Sequence, residues 1–273
     1  MEKLQPTLLG QATTYYDEYC PGLLEPISRT LGRAGLKYFA PQGYDLWRIY
    51  ELTFLNKLNI PCGAMGTICV PASSAFIVES KSLKLYLGSF TQTKFSSLDE
   101  VEQLITHDLS KVLECKVKVK LYDVDSTPPC FVPQTLAGKL IDLTSGVTLT
   151  NFAYHPELLT KHDGPRVEEV LRSNLLRTLC LVTGQPDHAS IQIHYQGVQV
   201  NHQELFAYLM SLRLHRGFHE QCVELIYNDL KSCLKLDKLE VLACFTRRGG
   251  IDINPLRTDF DLDDCAVIRT LRQ

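Results

Sequence analysis

The stretch LITHDL, residues 104–109, recurs as LIYNDL at residues 225–230. Upstream of each copy lies the pattern Y-L-x-S, at residues 86–89 in the first half of the chain and at 208–211 in the second. A strand-like run of alternating apolar residues follows each copy, at 117–121 and within KLEVLACF at 238–245. Two short matches in the same order can arise by chance, but the runs that follow them favour a duplication. The sequence therefore predicts two related modules.

Hydrophobic periodicity predicts the order strand, strand, helix, helix, strand, strand in each half. In the second half, residues 190–195 alternate as in a half-buried strand, and residues 203–214 and 219–234 have helical spacing. A further amphipathic helix is predicted from Arg166 to about Leu179. The expected fold class is α+β, with antiparallel sheets and helices on one face.

The module boundary is placed in the stretch 125–146, which is rich in Pro, Thr, Ser and Gly. This gives an N-terminal module of residues 1–127 and a C-terminal module of residues 128–273. The chain of 273 residues is long enough for one large domain or two modest ones.

The composition is that of an ordinary soluble globular protein, with 45% hydrophobic and 22% charged residues. The formal net charge of −3 gives no reason to expect a nucleic-acid or anionic-membrane surface. We recognise neither a signal peptide nor an apolar run long enough to span a membrane, so the expected compartment is the cytoplasm. The 10 cysteines are scattered without a C-x-x-C pair, which argues against a structural zinc site and predicts mostly free thiols.

Cys180 and Asp187 stand on either side of a predicted turn, TGQP at residues 183–186. A thiol and a carboxyl that a turn brings together can act as nucleophile and proton donor. The alternative is a buried cysteine on a strand followed by a turn-forming aspartate. Spacing alone favours that alternative.

Phe218, His219 and Glu220 follow Gly217 at the start of a predicted helix. A Phe ring can stack on a heteroaromatic ring, and a Glu can accept two hydrogen bonds from an N–H edge such as that of guanine. The alternative is a plain helix start with a favourable Glu in its first turn.

The sequence TRRGG at residues 246–250 combines two arginines with two glycines. Glycines allow the backbone to approach an anion closely, and guanidinium groups bind phosphate oxygens. A solvated hairpin tip is the alternative. Because the chain has no G-x-G-x-x-G sequence, a dinucleotide would not be held in the Rossmann manner.

Four motifs taken together are similar to those of one family: ESKSLKLY at 79–86, CLVTGQPD at 180–187, FHEQCVE at 218–224 and RRGGIDINP at 247–255. They resemble the QueF family, the NADPH-dependent 7-cyano-7-deazaguanine reductases of queuosine biosynthesis, a tRNA modification. The resemblance extends from about Asp45 to the C-terminus. It implies tandem modules of the tunnelling fold (T-fold).

Members of this family occur in single-module and two-module forms. Here ESKS stands in the first half, whereas Cys180, Asp187 and the Phe-His-Glu sequence stand in the second. The sequence NHQE, residues 201–204, occupies the place of a second ESKS. Each half thus lacks the motifs that the other half keeps. This implies the two-module form, with a composite site to which both halves contribute.

The resemblance also implies the reaction, in which two NADPH reduce a nitrile to a primary amine. Cys180 would add to the nitrile carbon and form a covalent thioimide, and Asp187 would protonate the nitrogen. The implied substrate-binding residues are Val78, Glu79, Ser80, Phe218, His219 and Glu220, with His219 also assisting proton handling. The implied cofactor-binding residues are Ser80, Lys81, Arg248 and Gly249. Asp187 can donate a proton at pH 7 only if a dry pocket or a shared proton keeps it neutral.

Two other classes of protein remain as alternatives. A catalytically inactive purine-binding or assembly protein would lack the nucleophile or the proton donor, and both are present. A metal-dependent pterin or GTP hydrolase would need Cys and His ligands in one cavity, whereas no metal is expected here. The expected partners are the deazapurine substrate and NADPH, with no direct nucleic acid and no membrane. Composite sites and exposed sheet edges favour a homodimer.

Overall fold

The computed structural model describes residues 14–126, 128–142, 148–149, 152–262 and 268–273. Within these residues the chain forms ten strands and five α-helices. The strands are β1 (Pro26–Ser28), β2 (Gln42–Leu55), β3 (Pro61–Pro71), β4 (Phe76–Val78), β5 (Lys118–Asp123), β6 (Lys139–Leu140), β7 (Arg166–Leu179), β8 (Pro186–Val198), β9 (Leu236–Phe245) and β10 (Ile251–Thr258). The helices are α1 (Thr30–Arg33), α2 (Ser80–Gly88), α3 (Leu98–Val112), α4 (His202–Ser211) and α5 (His219–Cys233).

The chain divides into two compact units. Unit 1 comprises Met1–Thr30, Trp47–Pro129 and Arg247–Asp252, and unit 2 comprises Leu31–Leu46, Cys130–Thr246 and Ile253–Gln273. One of the divisions, after Pro129, falls close to the predicted module boundary, although part of that boundary region (127 and 143–147) lies outside the described residues. Modules 1–127 and 128–273 were inferred from a duplicated sequence, which compactness does not test, and they stay a prediction.

Unit 1 contains a sheet in which β5, β3 and β2 are neighbours in this order. Strands β3 and β5 pair antiparallel, with Ala64 opposite Asp123. A separate antiparallel ribbon joins β1 to β4. Apolar residues of α2 and α3 are buried, among them Leu83 and Ile105, so these helices belong to the core of the unit.

Unit 2 contains the strand order β10, β9, β8, β7, β6, antiparallel in the registered pairs β10–β9, β9–β8 and β8–β7 and parallel between β7 and β6. The alternating residues Ile191, Ile193 and Tyr195 of β8 are buried in one core cluster with apolar residues of α4 and α5. The predicted strand 190–195 and the predicted helices 203–214 and 219–234 are confirmed, since a 3₁₀ turn at Leu212–Leu214 extends α4. The unit is therefore α+β, with its helices packed on the apolar face of an antiparallel sheet.

The predicted helix from Arg166 to Leu179 is wrong, because these residues form β7. The strand pairs with β8 along its whole length, but the register shifts between Ser173 and Leu176. Such a bulge inserts an extra residue and changes which side chains face the core. The bulge breaks the strict alternation that marks a strand, and the apolar residues Val167, Val170, Leu171 and Leu175 stand at helical intervals although Leu175 is exposed.

The repeated motifs make the same contact in both units. The Tyr86 hydroxyl donates a 2.6 Å hydrogen bond to Asp108 Oδ2, and the Tyr208 hydroxyl donates one of 2.6 Å to Asp229 Oδ2. In each unit the Y-L-x-S sequence on one helix therefore meets the L-I-x-x-D-L sequence on the next. The internal repeat seen in the sequence is thus a repeat of structure.

A third pair of matching segments accompanies these contacts. A second tyrosine donates to each aspartate, Tyr19 to Asp108 at 2.6 Å and Tyr154 to Asp229 at 3.0 Å. Each of these tyrosines precedes a 3₁₀ turn, at Pro21–Leu23 and at Pro156–Leu158. The sequences YCPGLL at 19–24 and YHPELL at 154–159 carry this signal, and the sequence analysis missed it.

Candidate active site

Cys180 lies directly after β7, at the start of the turn that leads into β8. Its N–H donates to Gln185 O at 2.9 Å, and the Gly184 N–H donates to Cys180 O at 3.0 Å. Gly184 has φ +68°, a left-handed conformation that favours glycine. The tight turn fixes the backbone of Cys180, whose free thiol is half-buried.

Asp187 stands on the other arm of the same hairpin. It is the second residue of β8, opposite Thr178 of β7, and only 3% of its surface is exposed. The structure therefore confirms the predicted turn and brings Cys180 and Asp187 to one end of the hairpin.

His219 approaches this hairpin end from the first turn of α5. Its Nε2 lies 3.3 Å from Asp187 Oδ2. Its imidazole stacks on the buried ring of Phe245, with centroids 3.9 Å apart and planes at 15°. The stack on one side and the carboxyl on the other fix the orientation of the imidazole.

Two backbone hydrogen bonds hold the start of α5 against the hairpin. Leu179 N–H donates to His215 O at 2.8 Å, and Gly217 N–H donates to Leu179 O at 3.1 Å. Phe218 and Glu220, the neighbours of His219, are carried to the same end of the hairpin, and Glu220 is 3% exposed. The structure therefore places the whole predicted unit 2 set together: Cys180, Asp187, Phe218, His219 and Glu220.

A second thiol nearby differs sharply from Cys180. Cys222 is fully buried in α5, one turn after Phe218, and burial raises its pKa to about 12. The carboxylates of Asp187 and Glu220 act in the same direction. Because the thiolate is the nucleophilic form, Cys222 is inert at neutral pH.

The chemistry available at this hairpin end is that of a thiol beside a carboxyl–imidazole pair. Asp187 and His219 lie close enough to share one proton. Such a pair can supply that proton to a group that gains negative charge near Cys180. A nucleophilic thiol and a nearby proton donor are the groups that addition of a thiol to a polar multiple bond requires.

In unit 1, Glu79 caps the N-terminus of α2. Its carboxylate accepts from Lys81 N–H at 2.9 Å and from Ser82 N–H at 2.7 Å, and Glu79 is 1% exposed. Glu79 was predicted only as a substrate-binding residue, and its capping role was not predicted. The Ser80 hydroxyl also donates to Glu79 Oε1 at 3.5 Å, so Oε2 keeps the acceptor capacity that a ligand can use. The adjacent Val78, at the end of β4, is 2% exposed.

The predicted cofactor-binding residues of unit 1 also lie near one another. Ser80 and Lys81 begin α2, and Lys84 follows one turn later on the same helix face. A Cβ placed on Gly249 would lie 3.2 Å from Lys84 Cδ. With φ +56° at Gly249 and +74° at Gly250, the turn after Arg248 therefore lies directly against α2.

This turn and helix concentrate positive charge. Lys81 and Lys84 on α2 lie beside a turn that carries Arg247 and Arg248, and the Arg247 guanidinium lies 4.4 Å from the Tyr50 ring centroid. Cationic side chains around a turn of left-handed glycines suit the phosphate groups of a nucleotide. The residues present therefore fit NADPH.

The two predicted sets belong to different units, so the single composite pocket stays a prediction. Among the described residues, no group of three or more His, Cys, Asp or Glu is placed to hold a metal ion. In the same part of the chain, no helix is both long and apolar enough to cross a membrane. Eight cysteines, Cys180 and Cys222 among them, are free thiols, as predicted for most of the ten, whereas Cys69 is disulfide-bonded.

Comparison with known proteins identifies the class as nitrile reductases. Residues 15–121 match the family described as "Nitrile reductase, 7-cyano-7-deazaguanine-reductase N-term", and residues 186–262 match the family described as "QueF-like protein".

Three curated proteins named NADPH-dependent 7-cyano-7-deazaguanine reductase are similar over nearly the full length. The protein of Colwellia psychrerythraea is 41% identical over 99% of this chain and 97% of its own. Those of Ralstonia nicotianae and Burkholderia cenocepacia are each 43% identical over 97% of this chain, and over 97% and 98% of their own. The chain belongs to the QueF family.

Proposed function

We propose that this protein reduces the nitrile of 7-cyano-7-deazaguanine to the primary amine with NADPH, as a step of queuosine biosynthesis. The observation that carries the proposal is the Asp187–His219 pair, 3.3 Å apart, at the end of the hairpin whose turn begins with Cys180. The names of the three relatives support the substrate and the cosubstrate.

Cys180 acts as the nucleophile in this proposal. Its sulfur bonds to the nitrile carbon, the C≡N bond becomes C=N, and the nitrogen takes a proton from Asp187. The product is a thioimide, and the proton that the Cys180 thiol loses passes through His219 to Asp187, which restores the donor. A hydride from the first NADPH would reduce the thioimide carbon, cleavage of the C–S bond would free Cys180 and leave an imine, and a hydride from the second NADPH with a proton would give the amine. Covalent capture keeps the reacting carbon on the protein and away from water.

Binding of the deazaguanine ring rests on an aromatic face and two carboxylates. Phe218 offers its ring for stacking, and Glu220 and Glu79 accept hydrogen bonds from the N–H edge. Val78, Ser80 and His219 complete the set of contacts. The burial of both glutamates supports this assignment, because a buried carboxylate favours a ligand with well-aligned donors.

NADPH binding is assigned to Ser80, Lys81, Arg248 and Gly249. The support is the approach of the Gly249 turn to α2, which leaves no room for a Cβ without movement of Lys84. The guanidinium of Arg248 and the ammonium of Lys81 bind phosphate oxygens.

For the fold, we propose two tandem T-fold modules. The equal Tyr86–Asp108 and Tyr208–Asp229 contacts support the duplication. We also propose a homodimer that works in the cytoplasm.

Incubation with 7-cyano-7-deazaguanine in the absence of NADPH tests the reaction class. We expect the intact mass to rise by the mass of the substrate, and the Cys180→Ala variant to show no increase. Binding without an adduct would support the inactive purine-binding protein instead. Stoichiometric metal in the purified protein, together with release of a hydrolysis product, would support the metal-dependent hydrolase.

A further inference from the structure

A guanidinium group lies over the turn that follows the proposed nucleophile. A Cβ placed on Gly184 would lie 3.2 Å from Nη2 of Arg216 and 3.6 Å from its Cζ. Gly184 is four residues after Cys180 and donates its N–H to the Cys180 carbonyl. A side chain at this position would push the guanidinium away by a few tenths of an ångström, so the glycine lets it rest directly on the turn.

The backbone fixes Arg216 at this position. Arg216 forms a parallel bridge with Leu179, the residue before Cys180. The hydrogen bonds of its two neighbours, His215 and Gly217, make that bridge. The backbone of Arg216 is therefore held beside Leu179, which immediately precedes Cys180. Its guanidinium lies against Gly184, at the other end of the turn.

The charge of Arg216 is not balanced by a described carboxylate. Its side chain is exposed and makes no hydrogen bond or ion pair with any other described residue. Arg177, by comparison, donates to Arg213 O at 2.5 Å. The two carboxyls of the unit 2 site, Asp187 and Glu220, are buried, and Asp187 is paired with His219. An exposed guanidinium with no protein partner is available to an anion.

We infer that Arg216 binds the diphosphate of NADPH. The inference rests on the proposed function, in which the carbon to be reduced is bonded to Cys180. The nicotinamide ring must then contact that carbon, and its ribose and the diphosphate follow along the same molecule. A cation at the rim of the Cys180 turn lies where this half of the cosubstrate has to pass. The adenosine 2′-phosphate lies at the far end of NADPH and is left to other cations.

The test compares three variants with the wild type. Arg216→Ala removes the guanidinium, and Arg216→Lys keeps a charge but loses the planar fork. Lys161→Ala is the matched control. It removes one exposed positive charge from unit 2 beside Cys233, at the opposite end of α5 from His219, roughly 20 Å away. Equilibrium binding of NADPH and of NADH, each followed by cofactor fluorescence, and the rate of adduct formation without cofactor are measured for all four proteins.

We expect Arg216→Ala to weaken NADPH and NADH by the same factor, about 10-fold or more, because both carry the diphosphate. Arg216→Lys should recover part of the loss, and Lys161→Ala should bind as the wild type does. The adduct should form at the wild-type rate in every variant, and unchanged unfolding midpoints should exclude a folding defect.

Three results would overturn the inference. Unchanged binding of both cofactors would show that Arg216 does not contact them. A loss confined to NADPH would place Arg216 at the 2′-phosphate. Slower adduct formation would show that it acts on Cys180. If the wild type itself forms no adduct, the proposed function fails, whatever the binding data show for Arg216.

Discussion

The Tyr208 hydroxyl donates a 2.6 Å hydrogen bond to Asp229 inside unit 2, and both residues are buried. Burial raises the pKa of Asp229, and the hydrogen bond from Tyr208 opposes that shift. Tyr208→Phe should therefore destabilise the protein by about 2 kcal/mol, because a buried carboxylate loses a donor. Urea unfolding of the variant and the wild type measures this difference.

Tyr154→Phe serves as the control for that experiment. Tyr154 donates to the same carboxylate at 3.0 Å, but its side chain is 38% exposed, so water can replace the lost hydroxyl. Its loss should cost less than that of Tyr208. Equal costs for the two variants would contradict the view that burial sets the strength of the contact.

Cys180→Ala should abolish both the substrate adduct and NADPH oxidation. The change removes the nucleophile and only a small side chain, so the fold should remain. Cys222→Ala is the matched control, since burial raises the pKa of Cys222 to about 12 and keeps it as the thiol. Intact mass after incubation with substrate gives the result. An adduct that persists in Cys180→Ala and disappears in Cys222→Ala would reverse the assignment.

Asp187→Asn should bind substrate normally but form adduct slowly or incompletely. The amide is nearly the same size and donates a hydrogen bond, yet it cannot deliver a proton to the nitrile nitrogen. NADPH oxidation should fall by at least ~10²-fold, the usual scale of general acid catalysis. A time course of adduct mass beside NADPH absorbance measures both steps. If the adduct forms at the wild-type rate, Asp187 is not the first proton donor and His219 takes that role.

Lys81→Ala and Arg248→Ala should weaken NADPH more than the deazaguanine. Each change removes a phosphate contact from unit 1 and leaves the carboxylates and Phe218 unaltered. Equilibrium binding of each ligand alone separates the two effects. A larger loss for the deazaguanine would remove these residues from the cofactor site.

Glu79→Asn should separate the cap of α2 from ligand binding. Asn201 already caps α4 in the same way, with its Oδ1 accepting from Gln203 N–H and Glu204 N–H. The variant should keep its stability within about 0.5 kcal/mol and bind the deazaguanine about 10-fold more weakly or worse, because the carboxylate is lost. Thermal unfolding and substrate binding are measured together. Unchanged binding would exclude Glu79 from the substrate site.

The parts of the fold that follow from local periodicity were predictable. The pattern around Val223, Ile226 and Leu230 predicted α5, and the alternation from Ser190 to Tyr195 predicted β8. Strand β7 was not predictable in this way, because Val167, Val170 and Leu171 stand at helical intervals and the register shift after Ser173 interrupts the alternation that marks a strand. A bulge is decided by pairing with a neighbouring strand, and one sequence segment does not contain that information.

The candidate site also has one part that local sequence predicts and one part that depends on distant contacts. The turn between Cys180 and Asp187 is local, and Gly184 and Pro186 predict it from the sequence. The approach of His219 depends on hydrogen bonds between Leu179 and two residues more than 30 positions later in the chain, His215 and Gly217. No spacing rule gives that contact, and only the resemblance to a family suggested it. The similarity of the segments that begin at Tyr19 and Tyr154 is visible in the sequence and was not predicted to matter.

The division of the chain into units has a consequence for any attempt to take the protein apart. Strand β2 begins among residues of unit 2 and ends among those of unit 1, and β10 does the reverse. A single break, by protease or by gene fission, therefore cannot release two complete units. The two units are therefore indivisible at the level of the gene, and neither can be inherited, lost or exchanged without the other.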